Sequence, residues 1–195
     1  MSFKVGIIIC SIREPRVGPQ VAQWLKGKLE GQATSGFGLH LLDLKQYPLP
    51  LSYPEGGLPA HKTMTDGDDY RCPETNVWSK EVRKYDGFVF VSPQYNWGYP
   101  ASIKNALDQL FLEWTGKPGM VVTYGGRGGG KAGEQLIEVL KGLRMQASED
   151  RIELNISPPQ TALGPADDAT IAKWEEKEED VKKAWGAFTA LFGSK

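Results

Sequence analysis

The chain has 195 residues, with 23 Lys and Arg against 24 Asp and Glu, a net charge of −1. That length suits one domain over residues 1–195, able to bury about 70% of its unfolded surface without a disulfide or metal staple. The even charge excludes the basic excess of a general nucleic-acid or anionic-membrane binder. The two cysteines, Cys10 and Cys72, are too few for a four-cysteine iron–sulfur or zinc centre.

Taken in chain order, hydrophobic spacing alternates between strand and helix. Val5 to Cys10 is a short, β-branched, continuously apolar run and reads as a buried strand. Val17, Val21, Trp24, Leu25 and Leu29 follow at helical spacing, with Pro15 near the expected helix start. Phe37 to Leu42 alternates in its first half, as a half-buried strand does. The stretch from Leu44 to Pro73 is rich in turn formers (Pro48, Pro50, Pro54, Gly56, Gly57, Pro59, Gly67) and reads as a lid or substrate-facing loop. Val77 to Tyr85 reads as a short helix, and Phe88 to Val91 as a second continuously apolar strand. Ile103, Leu107, Leu110, Phe111 and Trp114 make one helical stripe. Met120 to Tyr124 is a third buried strand, and Ala132 to Leu143 carries another helical face. Arg151 to Ile156 alternates strictly and suits an exposed edge strand. Ile171, Trp174, Val181, Trp185, Phe188 and Phe192 form the apolar face of a C-terminal amphipathic helix.

This alternation specifies an α/β three-layer sandwich around a parallel sheet. Continuous runs belong in the centre and alternating ones at the edges, so a five-stranded sheet of order 2-1-3-4-5 is expected. No stretch approaches the roughly 20 apolar residues that span a bilayer, and no signal peptide is evident, so a cytoplasmic protein is expected.

In an open parallel sheet, ligands bind beyond the carboxyl ends of the strands, where strand order reverses. Three loops there have unusual composition. The first runs Ser11-Ile-Arg13-Glu-Pro-Arg16-Val17-Gly18 into a helix. A hydroxyl, two guanidiniums and helix N-terminal amides suit a phosphate, against a plain solvated basic turn. The second, Ser92-Pro93-Gln94-Tyr95-Asn96-Trp97-Gly98-Tyr99-Pro100, is stiffened by prolines and carries amides and aromatics. That combination suits the edge and face of a flat heteroaromatic ring. The third is Tyr124-Gly125-Gly126-Arg-Gly-Gly-Gly-Lys131-Ala132-Gly133, where glycines let backbone approach a ligand. Its Gly125 to Lys131 spacing matches a nucleotide phosphate loop, but Ala132 stands where Ser or Thr must meet Mg²⁺. Its G-x-G-x-x-G match carries little weight in so glycine-rich a segment. The two histidines form no metal-ligand spacing, so no metal site is expected. Cys10 reads as core, Cys72 as an inert loop thiol and His61 as an exposed bystander.

The motifs Ser11-x-Arg13-x-x-Arg16, Pro93-Gln94-Tyr95-Asn96 with Pro100-Ala-Ser-Ile-Lys104-Asn105-Ala-Leu-Asp108, and Tyr124-Gly125-Gly126 resemble those of NAD(P)H-dependent FMN reductases. This is a family of flavodoxin-like quinone and azo-dye reductases, and the likeness is strongest to its fungal members. It spans about Lys4 to Gln146. The resemblance implies a flavodoxin-like fold, FMN as cofactor and NAD(P)H as co-substrate. Ser11, Arg13, Arg16 and the Val17 amide would hold the phosphate. Pro93, Gln94, Tyr95 and Asn96 would line the isoalloxazine edge, and Tyr124, Gly125 and Gly126 would close its other side. Tyr95 and Trp97 would wall the substrate slot, and no side chain would serve as base or nucleophile. It further implies a homodimer or homotetramer, with Phe111 and Trp114 near a partner. A quinone, azo dye or flavin would then be the acceptor in ping-pong turnover. The alternative is a non-enzymatic FMN-binding redox sensor or electron carrier, but a net charge of −1 lacks the acidic docking surface of such a carrier.

Overall fold

A computed structural model describes residues 2–32, 36–53, 55–65 and 68–193. Its strands are β1 (Phe3–Ile9), β2 (Phe37–Asp43), β3 (Gly87–Pro93), β4 (Pro118–Gly125), β5 (Gln146–Ala147) and β6 (Ile152–Asn155). Its helices are α1 (Gly18–Glu30), α2 (Pro73–Val82), α3 (Ala101–Asp108), α4 (Gly130–Gly142), α5 (Asp168–Glu175) and α6 (Glu178–Ala190). All pairings among these strands are parallel, and the order β2-β1-β3-β4-β5 is the expected 2-1-3-4-5.

The central strands are apolar on both faces because both are covered. Val5, Ile7, Ile9, Val89, Val91 and Val122 pack with α1, α5 and α6. Ile8, Cys10, Phe88, Phe90 and Val121 pack with α2, α3 and α4. Trp78 and Trp114 are fully buried on the second side, and replacing either by Ala would cost about 3–5 kcal/mol.

Several details sharpen or change the expectation. The fifth strand is broken: β5 pairs with the start of β4 (Pro118↔Gln146), β6 with its end (Val122↔Ile152), giving six strands. The alternation in β6 marks an edge strand as expected, paired with β4 along one side and with Asn155 exposed. Ile152 and Leu154 enter the core, while Glu153 turns towards a cleft described below. Helix α3 stops at Asp108, and Trp114 packs inward, its Nε1 donating to Leu107 O (3.3 Å) and its ring 5.0 Å from Phe88. It is therefore a core residue rather than a partner-facing one, whereas Phe111 is half-buried beneath the Arg144 guanidinium. The C-terminal helix is two helices. The intervening run carries no apolar anchor, and Glu178, Glu179 and Asp180 favour a fresh helix N-terminus there.

Pro15 lies in the loop before α1, and Pro19 occupies the first helical turn instead. The long Pro/Gly segment is tied down along α3. Asn105 Nδ2 donates to Leu49 O (3.0 Å), and Gln109 Nε2 to Pro50 O (2.8 Å). Pro54 and Gly67 of that segment lie outside the described residues.

Candidate functional site

The loops after β1, β3 and β4 meet at the carboxyl edge of the sheet, and each is held by its own contacts. In the first, Ser11 is fully buried and its Oγ has no hydrogen-bond partner among the described residues. The Ser11 and Tyr124 hydroxyls both crowd the space where Gly18 lacks a side chain. A Cβ there would strike Ser11 Oγ and lie 2.7 Å from Tyr124 Oη. Burial pushes the Tyr124 phenol well above its ordinary pKa, so it stays a neutral donor.

Arg16 is fully committed. It grips Asp43 in two bonds (3.0 and 2.6 Å) and donates to Ser11 O (2.5 Å) and Glu14 (3.3 Å). The bonds to Asp43 hold its guanidinium in the charged form. Asp43 ends β2, opposite Ile9 in the register, so the pair fastens the first loop to the sheet edge. The Val17 N–H, expected at the phosphate, donates instead to Ala162 O (3.2 Å). Arg13 is exposed, and its guanidinium lies 4.3 Å over the Tyr95 ring, joining the first loop to the second.

In the second loop, Tyr95 and Gly98 exchange both backbone hydrogen bonds (2.8 and 3.0 Å). The two residues between them have positive φ, Asn96 at 48° and Trp97 at 69°. That is a tight hairpin turn in which both corner residues must be left-handed. Asn tolerates this; Trp does so at a cost, and such strain gathers at functional sites. Trp97 is 63% exposed. Gln94 is anchored by its N–H to Tyr124 O (3.0 Å) and by its Oε1, which accepts from Ala132 N (3.2 Å).

The third loop turns at Gly128 (φ 83°) and Gly129 (φ 87°) into α4. Thr123 Oγ1 donates to Gly128 O (2.9 Å), and Asn155 Nδ2 to Gly126 O (3.0 Å).

Two adjoining cavities result. The narrow one, about 140 Å³, lies between Arg13, Arg16, Pro93 to Tyr95, Tyr124 to Gly126, Ile156 and Ala162. The wide one, about 640 Å³, is lined by Gln94, Asn96, Trp97, Gly126, Arg127, Lys131, Glu134, Arg151 and Glu153 among others. They share Gln94 and Gly126. Every expected site residue except Val17 and Ser11 lines one of them, and Ser11 is the buried hydroxyl behind the first. No described residue of the long Pro/Gly loop lines either.

In the wide cleft Arg127, Glu134, Arg151 and Glu153 were not read from sequence as site residues, and around the narrow cavity neither were Asp43, Ile156 and Ala162. The last two come from the segment after β6, which also folds onto α1 through Gln20 Oε1, an acceptor for Ala166 N (2.6 Å). Its signal was the run Ser157-Pro158-Pro159, since the loop after the last strand also lies at the carboxyl edge.

The family model described as NADPH-dependent FMN reductase matches residues 3–152. The chain belongs to that family. The reductase is 46% identical over 147 residues to the NAD(P)H-dependent FMN reductase LOT6 of Saccharomyces cerevisiae, covering 73% of this chain and 76% of that one. It is 38% identical over 191 residues to the NAD(P)H-dependent FMN reductase C4B3.06c of Schizosaccharomyces pombe, covering 98% and 91%. Among solved structures, the flavoenzyme FerB from Paracoccus denitrificans superimposes with a TM-score of 0.61 at 20% identity, covering 93% and 98%. That last likeness is one of fold and agrees with the flavodoxin-like sheet order. As a family member the chain is an oxidoreductase that uses FMN with a reduced nicotinamide as electron donor. The residues present fit that group. A buried Ser11 hydroxyl without a hydrogen-bond partner, packed close against Gly18, and an exposed Arg13 that makes no ion pair among the described residues are donors suited to a phosphate, next to amide-rich and glycine-rich walls.

Proposed function

We propose that the reductase carries one FMN with its phosphate at the narrow cavity and its ring reaching past Gln94 and Gly126 into the wide cleft, where it serves NAD(P)H and then an oxidised acceptor. When bound, FMN supplies hydride transfer, taking two electrons from the nicotinamide and delivering them to a quinone, an azo compound or free flavin. Ser11 Oγ and Arg13 bind the phosphate, while Arg16 works from behind, holding Ser11 against Asp43. Pro93, Gln94, Tyr95 and Asn96 line the ring edge, and the backbone of Tyr124, Gly125 and Gly126 offers N–H donors on the other side. Such donors favour negative charge developing on the ring. Tyr95 and Trp97 wall the slot for flat substrates. Both substrates use one open face in turn, which is ping-pong turnover, and no side-chain base is required. The reading extends to a cytoplasmic homodimer or homotetramer. The exposed Ile12, Leu51 and Leu58 supply apolar surface for such contacts.

The observation that carries this reading is the buried, unpartnered Ser11 hydroxyl packed against Gly18 behind the narrow cavity, with Arg13 on that cavity's wall. An Arg13→Ala variant should bind FMN about tenfold or more weakly, one charge-assisted hydrogen bond lost, with its thermal unfolding unchanged. Unaltered FMN affinity in a fluorescence-quenching titration would refute the role of Arg13.

A further inference from the structure

The wide cleft holds three cations, and two are already neutralised. Arg151 meets Glu153 (2.8 Å) and Glu134 (3.5 Å), and Lys131 meets Glu134 (3.3 Å). The third, Arg127, is exposed and its guanidinium makes no ion pair or hydrogen bond among the described residues.

The support under Arg127 is stiff. Gly128 N–H closes onto Gly125 O (3.1 Å), and flanking bonds from Thr123 and Asn155 pin both sides of the turn. Glu153 lies directly beneath. A Cβ at Gly128 would come within 2.9 Å of its Cβ, and one at Gly130 within 2.8 Å of its Oε2. The turn therefore cannot sink, and its one long side chain stands at the rim, beside the first turn of α4. That helix end adds positive potential. A guanidinium on a fixed base is a two-pronged receptor for a phosphate. The cleft's volume, about 640 Å³, falls within the roughly 300–1,000 Å³ of small-ligand sites. Through Gln94 and Gly126 it opens onto the narrow cavity.

We propose that Arg127 grips the phosphates of the incoming reduced dinucleotide, seating the adenylate half in the wide cleft while the nicotinamide reaches the flavin ring beside Gln94 and Gly126. This rests on the redox reading above and adds what that reading lacks, a residue that selects phosphate-bearing reductants. Of the cations lining this cleft, Arg127 does this because binding there breaks no existing ion pair.

The test uses the FMN-loaded protein and its Arg127→Ala and Arg127→Lys variants. The reductants are NADPH, NADH and 1-benzyl-1,4-dihydronicotinamide, which carries no phosphate. Binding of NADP⁺ to the oxidised protein is measured by calorimetry. Arg127→Ala should raise the KM for NADPH about tenfold and weaken NADP⁺ by a similar factor. FMN content and turnover with the neutral reductant should stay unchanged, and Arg127→Lys should recover part of the loss. An effect on NADPH alone assigns the 2′-phosphate, and an equal effect on NADH assigns the diphosphate. Equal losses with all three reductants, or no change in NADPH KM and NADP⁺ affinity with FMN bound, would overturn the proposal. Failure of the parent protein to take up FMN would refute the redox reading instead.

Discussion

Trp97 gives a sharp test because its backbone and its side chain make separate demands. Its φ of 69° is left-handed, which costs a residue with a Cβ about 1–2 kcal/mol. Trp97→Ala and Trp97→Gly delete the same indole contacts, so the difference between the two variants isolates the backbone. At an ordinary position Ala is more stable than Gly by about 0.5–1 kcal/mol, because glycine loses more freedom on folding. Here glycine also escapes the left-handed penalty, and the order reverses by up to about 1.5 kcal/mol. For a chain of this size each kcal/mol moves the melting temperature by about 2–4 °C. The Gly variant should therefore melt up to about 6 °C above the Ala variant, measured by calorimetry at matched FMN content. Both should raise the KM for a flat quinone acceptor to the same extent, since both lose the same wall. An Ala variant more stable than the Gly variant, the order of an ordinary position, would refute the turn geometry on which the cleft is built.

Two further expectations test other parts of the structure. Gly18→Ala should lower FMN affinity by about tenfold or more, because the new methyl displaces the Ser11 and Tyr124 hydroxyls; a quenching titration with unchanged affinity would remove both from the phosphate cradle. Lys117 is pushed down to about 8 by burial, with Asp86 and Glu113 opposing the shift, Arg83 adding to it, and its Nζ donating to Val82 O (3.0 Å). Between about pH 8 and the ordinary lysine value the unfolded chain holds more protons, so stability rises with pH across that window. Charging this lysine costs the fold on the order of 3 kcal/mol at pH 7. A Lys117→Met variant should accordingly be more stable than the parent at pH 7, and the advantage should shrink by pH 10. A gap in urea midpoints that is constant with pH would contradict the burial argument.

What was legible in the sequence follows from where each signal is written. Strands β1, β3 and β4 announce themselves because both their faces are covered, leaving uninterrupted runs such as Phe88-Val-Phe-Val. Their order followed from the same contrast between continuous and alternating runs. The ends of elements were harder to read. Leu110, Phe111 and Trp114 keep helical spacing beyond Asp108, but loop packing rather than a continuing helix places them. The break between β5 and β6 has no periodic trace. The site loops were visible through Arg13, the Pro93 to Asn96 run and the glycine turn. Asp43 and Ala162 were not, because each reaches the first loop from a distant stretch of chain. Long-range partners of that kind leave no local spacing. The alternation of Arg151 to Ile156 marked an edge strand, but nothing in it showed that its polar side supplies Arg151 and Glu153 to a cleft.

An anaerobic titration tests the central claim most directly. The protein is loaded with FMN, freed of excess and reduced with NADPH while the visible flavin band is followed. One bound FMN per chain, bleached by one equivalent of NADPH and restored by one equivalent of a quinone, is the predicted result. A protein that retains no FMN, or whose bound FMN stays yellow under NADPH, would contradict it.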